Sequence, residues 1–145
     1  MWDAAGDKAM VRREVLNWLR EAQADLRRAV RALEDRDYAL SAFMSQQVCE
    51  KAFKALYLAV ARRVYPKTHD LTALYSGVRE YLELPGDVVE LLPEVSQYYV
   101  TARYPNAGLE APSESISRTQ ATRALEIARK VFSIVEERIR GAGDP

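Results

Sequence analysis

The chain has 145 residues, of which 48% are hydrophobic and 29% charged, so one globular domain with a substantial core is expected. A formal net charge of zero, from 21 basic and 21 acidic residues, gives no support to whole-molecule attraction to nucleic acid or to membranes. One cysteine excludes an internal disulfide, and one histidine excludes a metal site built from several histidines of one chain.

Targeting and cofactor signals are absent from the sequence. No apolar run reaches the roughly 18 residues of a membrane span, and the N-terminus lacks the apolar region of a signal peptide. No glycine-rich phosphate loop and no paired-acid metal motif is present. We therefore expect a cytoplasmic protein with no membrane contact, no metal and no cofactor.

The first helix is predicted over residues 8–34, where apolar residues recur at intervals of three or four. Its outer face carries arginines interleaved with Glu21, Asp25 and Glu34, a pattern that favours a solvated face with ion pairs one turn apart over a binding patch. These arginines are Arg20, Arg27, Arg28 and Arg31.

The second helix is predicted over residues 38–64, ending before Pro66. One side forms an apolar stripe, and Cys49 within it is interpreted as a core residue rather than a nucleophile. Gln46 and Glu50 interrupt the pattern, which indicates either a structural polar network or a polar site between helices or subunits. The stripe consists of Ala42, Cys49, Phe53, Leu56 and Val60.

Three further helices are predicted. Thr68 is the candidate N-cap of the third, with Asp70 in its first turn, and residues 87–99 form the fourth. After a loop at 106–115, Ser117 and Gln120 fit a capping box for a last helix that Gly141 ends. The prediction is an all-α, up-and-down bundle of about five helices, a single domain over 1–145 with 1–7 and 141–145 frayed.

Three short segments in order, QQVCEKAFKAL from Gln46, THDL from Thr68 and ARYP from Ala102, resemble the HEPN domain family. The resemblance runs from about Trp18 into the last helix. It implies a homodimer that binds nucleotide or RNA and acts with a separately encoded minimal nucleotidyltransferase in a toxin–antitoxin-like system. Some related HEPN subunits are RNA-cleaving toxins, and a non-catalytic helical scaffold is a third interpretation.

Arg63 and His69 are the candidate catalytic pair that the resemblance implies. Ribonucleases of the family share an arginine followed about four to six residues later by a histidine, and five residues separate the two here. Histidine can serve as a general base or acid, while arginine stabilises the charge that develops on phosphorus. Val64 stands where the family usually has a polar residue. The alternative is that His69 only caps or packs the start of the third helix.

Cations on the second helix suggest a phosphate site. Lys51 and Lys54 share one helix face, and with Arg103 and Tyr104 they are predicted to bind the phosphates and base of a nucleotide or RNA. The basic strip at 51–67 can equally dock the acidic segment at 83–94 of the same or a neighbouring chain. Arg103 can instead bind carbonyl groups at a helix end.

The same region suggests an assembly surface. Gln46 and Glu50 at the edge of the stripe, together with Tyr57, Tyr98 and Tyr99, predict a two-fold helical interface.

Overall fold

The computed structural model describes residues 4–103 and 111–142, which fold into helices joined by turns and loops. The helices are α1 Ala4–Glu34, α2 Tyr38–Leu56, α3 Leu71–Ser76, α4 Gly86–Thr101, α5 Pro112–Ser115 and α6 Arg118–Ala142. Since α5 is a single turn and these two ranges contain no strand, the predicted all-α bundle of about five helices is confirmed. Within the same ranges, no helix combines the length and the apolar character needed to cross a bilayer.

α2 lies at the centre of the bundle and packs against α1, α4 and α6. Its predicted stripe is buried except for the half-buried Val60, and Phe53 also packs against the ring of Tyr75. Burial raises the pKa of the Cys49 thiol, which therefore stays protonated as a small core side chain. The interpretation of Cys49 as a core residue is confirmed.

A turn of three residues reverses the chain between α1 and α2. Arg36 adopts a left-handed conformation with φ of 62°, and the Asp37 amide returns to the Ala32 carbonyl at 2.8 Å. The Asp37 carboxylate then accepts from the Leu40 amide at 3.2 Å and caps α2. A connection this short makes α1 and α2 antiparallel neighbours.

The end of the second helix differs from the prediction. Regular α-helix ends at Leu56 and continues as a π-helical turn over Tyr57–Ala61, after which Arg62 is left-handed with φ of 56°. The amides of Arg62 and Arg63 both return to the Tyr57 carbonyl, so the chain leaves the helix well before Pro66. The predicted range of 38–64 is therefore too long, and Arg63 is exposed and lies beyond the end of the helix.

Capping groups decide where the later helices start. The N-cap of α3 is Asp70 and not Thr68: the Asp70 carboxylate accepts from the amides of Thr72 at 3.0 Å and Ala73 at 3.3 Å. The capping box of α6 is confirmed, with Ser117 and Gln120 each accepting from the amide of the other. α6 runs through Gly141 to Ala142, one residue past its predicted end.

α4 contains Pro93 without a break and packs its apolar face on α2 and α6. The acidic segment at 83–94 docks on α6, since Glu94 forms a bidentate pair with Arg123 at 2.5 and 2.6 Å and Asp87 lies 3.2 Å from Lys130. Docking of this segment on the strip at 51–67 of the same chain is therefore excluded for Glu94 and Asp87.

Gly77 follows α3 at a close approach to the buried Tyr57. A Cβ on Gly77 lies 1.9 Å from the Tyr57 hydroxyl, which donates to the Leu74 carbonyl at 2.8 Å. We predict that Gly77→Ala lowers the free energy of unfolding by about 1–3 kcal/mol, because the tyrosine must leave its hydrogen bond. Urea denaturation of the purified variant measures the loss.

Gly86→Ala is the matched control for Gly77→Ala. A Cβ on Gly86 meets nothing within 4 Å, and the residue begins α4, so its stability should stay unchanged or rise slightly. Equal losses in the two variants would show that the Tyr57 contact is not the cause.

Candidate functional site

A buried carboxylate, Glu50, organises the polar part of the structure. It is 4% exposed and accepts from Lys54 Nζ at 2.8 Å and from Gln46 Nε2 at 3.2 Å, while His69 Nδ1 lies 2.9 Å from its Oε1. Gln46 Nε2 also donates to the His69 carbonyl at 2.9 Å. Gln46 and Glu50 thus form a polar network inside one chain, and they hold both the main chain and the ring of His69.

The contacts of Glu50 favour its ionised form. Burial raises the pKa of Glu50, but hydrogen bonds from Lys54, His69 and Gln46 outweigh it and leave the pKa below its ordinary value. An ionised carboxylate only accepts hydrogen bonds, so the proton in the contact with His69 belongs to Nδ1. Nε2 is then the imidazole nitrogen that remains for a ligand.

His69 is one end of an aromatic stack. Its ring lies 3.7 Å from the ring of Tyr99 at an interplanar angle of 11°, and the Arg103 guanidinium lies 4.9 Å from the same tyrosine and 5.2 Å from Phe43. The His69 side chain remains 50% exposed. We call His69, Tyr99 and Arg103 the stack; it presents an imidazole face and a guanidinium to solvent.

Lys51 is held away from the stack. Its Nζ lies 2.6 Å from Asp25, which is 2% exposed and also accepts from Arg28 at 2.6 Å. The expectation that Asp25 lies on a solvated face is wrong, because its carboxylate faces α2 and neutralises Lys51. Binding of phosphate by Lys51 stays a prediction, and this ion pair competes with it.

Lys54 is linked to His69 of the stack through Glu50, which both side chains contact. Its Nζ lies 5.3 Å from the centre of the Trp18 ring and 5.2 Å from that of Tyr65, and its side chain is mostly buried. The buried carboxylate and the two aromatic rings already bind this ammonium, and these contacts compete with binding of a phosphate. Its contacts show a role in holding the charge of Glu50, and its predicted phosphate contact stays a prediction.

Arg63 and His69 are not brought together within one chain. The Arg63 guanidinium donates to the Gly77 carbonyl and lies 5.0 Å from the centre of the Tyr57 ring. His69 precedes α3 and Gly77 follows it, so this helix, about 9 Å long, lies between His69 and the carbonyl that holds the Arg63 guanidinium. The catalytic pair stays a prediction.

Of the described tyrosines that were predicted near the interface, only Tyr99 is partly exposed. Tyr57 and Tyr98 are buried inside the chain and are not available to a partner, whereas Tyr99 is partly exposed. Tyr104, predicted to bind the base, lies outside the described residues, as does Pro105.

The burial of Asp25 could have been predicted from the sequence. Asp25 is three residues after Ala22 and four before Ala29, the helical spacing of a buried face, and both alanines are fully buried. The contact of His69 with Tyr99 could not have been predicted in this way, because it joins a loop to a helix 30 positions later. No group of three histidine, cysteine or acidic residues placed to hold a metal ion occurs in the described part of the chain.

Comparison with known proteins gives a consistent result. The model of the HEPN domain family matches residues 15–138. TT1696 from Thermus thermophilus is 34% identical, with a TM-score of 0.76 over 86% of this chain and 97% of that one. ST0689, described as an archaeal HEPN homologue, is 26% identical, with a TM-score of 0.71 over the same shares of both chains. No curated protein matches this chain.

Proposed function

Because the chain belongs to the HEPN domain family, we propose that it is a nucleotide- or RNA-binding subunit that binds its ligand at the stack. We also propose that it is a homodimer and acts with a separately encoded minimal nucleotidyltransferase in a two-component, toxin–antitoxin-like system. The assembly and the partner rest on the family resemblance. The binding site rests on the stack, where a half-exposed imidazole and a guanidinium both contact the ring of Tyr99.

Each layer of the stack has a part in recognition. Tyr99 is already covered by His69 and by Arg103, so the base of a ligand stacks on the outer face of His69. Arg103 supplies a planar, permanently charged donor for a phosphate, and His69 Nε2 adds a second polar contact. Holding His69 through Gln46 and Glu50 before the ligand arrives lowers the conformational entropy lost on binding.

The loop before α3 carries two further cations. Lys67 stands two residues before His69, and Arg62 begins the loop; both are exposed, and neither forms an ion pair with any described residue. A nucleic acid strand that continues past the stack would therefore meet further cations. The affinity should fall as salt rises, as it does where ammonium and guanidinium groups neutralise phosphates.

The binding test uses titrations of ATP, GTP and a short labelled RNA against purified variants. We predict that His69→Ala and Arg103→Ala each weaken binding by about tenfold, the effect of losing about 1.4 kcal/mol of stacking or phosphate contact. Arg79→Ala is the matched control: Arg79 also lies over a tyrosine ring, 5.8 Å from the centre of Tyr75, but makes no hydrogen bond or ring contact with the stack. It should bind like the wild type.

Two outcomes would contradict this site. Absence of binding by the wild type, or binding that salt does not weaken, together with no cleavage of RNA, leaves only the scaffold interpretation. Binding that survives in Arg103→Ala but is lost in a folded Lys51→Ala variant would move the phosphates to the lysine face of α2.

Metal-independent RNA cleavage is a second candidate, favoured by the contact of Glu50 with His69. A carboxylate that fixes Nδ1 leaves Nε2 in position to take a proton from a ribose hydroxyl, and Arg63 would stabilise the charge on phosphorus. Since α3 separates the pair within one chain, cleavage requires the two to meet across the homodimer. Incubation of RNA with the protein in the presence of a chelator tests this: His69→Ala and Arg63→Ala should both abolish product formation.

A further inference from the structure

A groove runs along α1 where the C-terminal half of α6 packs against it. At one end it is bordered by Arg27, Arg31 and Arg129, and at the other by Leu16, Arg20 and Arg140. Gln23 borders both parts, so they lie end to end between antiparallel helices. Together the two parts span about 28 Å from Arg12 to Arg31.

Positive charge is concentrated on this groove although the chain as a whole is neutral. Arg20, Arg27, Arg31 and Arg129 are exposed, and none of them makes an ion pair or hydrogen bond with a side chain in the described ranges. Two acids also border the groove: Glu136, which is 3.4 Å from Arg140, and the exposed Glu34. Four exposed guanidinium groups that form no ion pair with a described residue outnumber the one unpaired acid, Glu34, and attract a negatively charged partner.

The floor of the groove is apolar. Leu16 is 44% exposed, and Leu19, Leu26 and Val30 are half-buried along the same line. Phosphates gain nothing from leucine, whereas the apolar face of an amphipathic helix buries it favourably. Leucines flanked by arginines therefore favour an acidic amphipathic helix over a nucleic acid strand.

We propose that this groove is the docking site for an acidic amphipathic helix of a partner protein. The groove's length fits about five turns of helix, with apolar residues facing Leu16 and Leu19 and carboxylates facing Arg20, Arg27 and Arg129. The acidic segment of this chain does not supply that helix, because Asp87 and Glu94 are paired with α6. No residue of the stack lines the groove, so this proposal is independent of the ligand-binding function.

The test measures binding of a fluorescein-labelled helical peptide of about 18 residues, with leucine at helical spacing and glutamate on the flanking positions. The wild type should bind it and should not bind a scrambled peptide of the same composition. Arg27→Glu should weaken binding by about tenfold or more, and Leu16→Ser by about tenfold. Arg79→Glu, an equal charge change at an exposed arginine outside the groove, should leave binding unchanged.

Circular dichroism verifies that each variant is folded, and Arg27→Glu alone decides the result if Leu16→Ser is not. Failure of the wild type to bind the helical peptide, equal binding of the scrambled peptide, or equal losses in Arg27→Glu and Arg79→Glu would overturn the proposal. RNA binding that Arg27→Glu removes and Leu16→Ser preserves would assign the groove to nucleic acid instead. A homodimer that Leu16→Ser dissociates would assign it to a second copy.

Discussion

Glu50→Ala should lower the free energy of unfolding by about 3–5 kcal/mol, because it leaves a mostly buried Lys54 ammonium without its carboxylate. Gln46 and His69 lose a partner in the same change. Glu90→Ala, which removes an exposed acid of α4, is the control and should change stability by less than about 0.5 kcal/mol. Urea denaturation of both variants measures the difference, and equal losses would contradict a structural role for the network.

The same network makes a prediction about pH. The pKa of Glu50 is lower in the folded chain than its reference value of 4.5, so the folded state stabilises the ionised form. This contribution is fully present above about pH 4.5 and is lost as the pH falls through the lower folded pKa. The stability difference between wild type and Glu50→Gln should therefore be largest near neutral pH and shrink below pH 4.5. A difference that grows on acidification would show that the sign is wrong.

Phe53→Ala should destabilise the protein by about 3–5 kcal/mol, since Phe53 is fully buried in the central helix and its truncation leaves a cavity. Leu125→Ala, in α6, should lose about 2–5 kcal/mol for the same reason. Arg27→Ala is the surface control and should change stability by less than about 0.5 kcal/mol, because Arg27 is exposed and has no ion pair with any described residue. Similar melting shifts in all three variants would show that the helix faces are misassigned.

The helices could be predicted from the sequence because apolar residues recur at the helical period. Phe53, Val95 and Val131 are all fully buried, as that period predicts. The ends of the helices were harder to predict, because they depend on individual hydrogen bonds. Asp70 and Thr68 are both acceptable N-caps, and only the contacts of Asp70 with two amides decide between them.

Only part of the candidate site could be predicted from the sequence. The spacing of Gln46 and Glu50 shows that a polar pair interrupts an apolar stripe, and burial of both within the chain follows from that position. Which cations compensate for the carboxylate depends on tertiary contacts: Lys54 joins Glu50, whereas Lys51 turns to Asp25 on another helix. The stack depends on a loop meeting the end of α4, and no local pattern encodes that meeting.

Binding at the stack is tested most directly by the proton NMR signals of His69, because it is the chain's only histidine and its imidazole resonances need no assignment by mutation. Titration with a short RNA or with ATP should shift these resonances saturably, with the same midpoint as the binding measured in solution. In Arg103→Ala the midpoint should move to about tenfold higher ligand concentration. Saturable binding that leaves the His69 resonances unmoved would place the ligand elsewhere and contradict the proposed site.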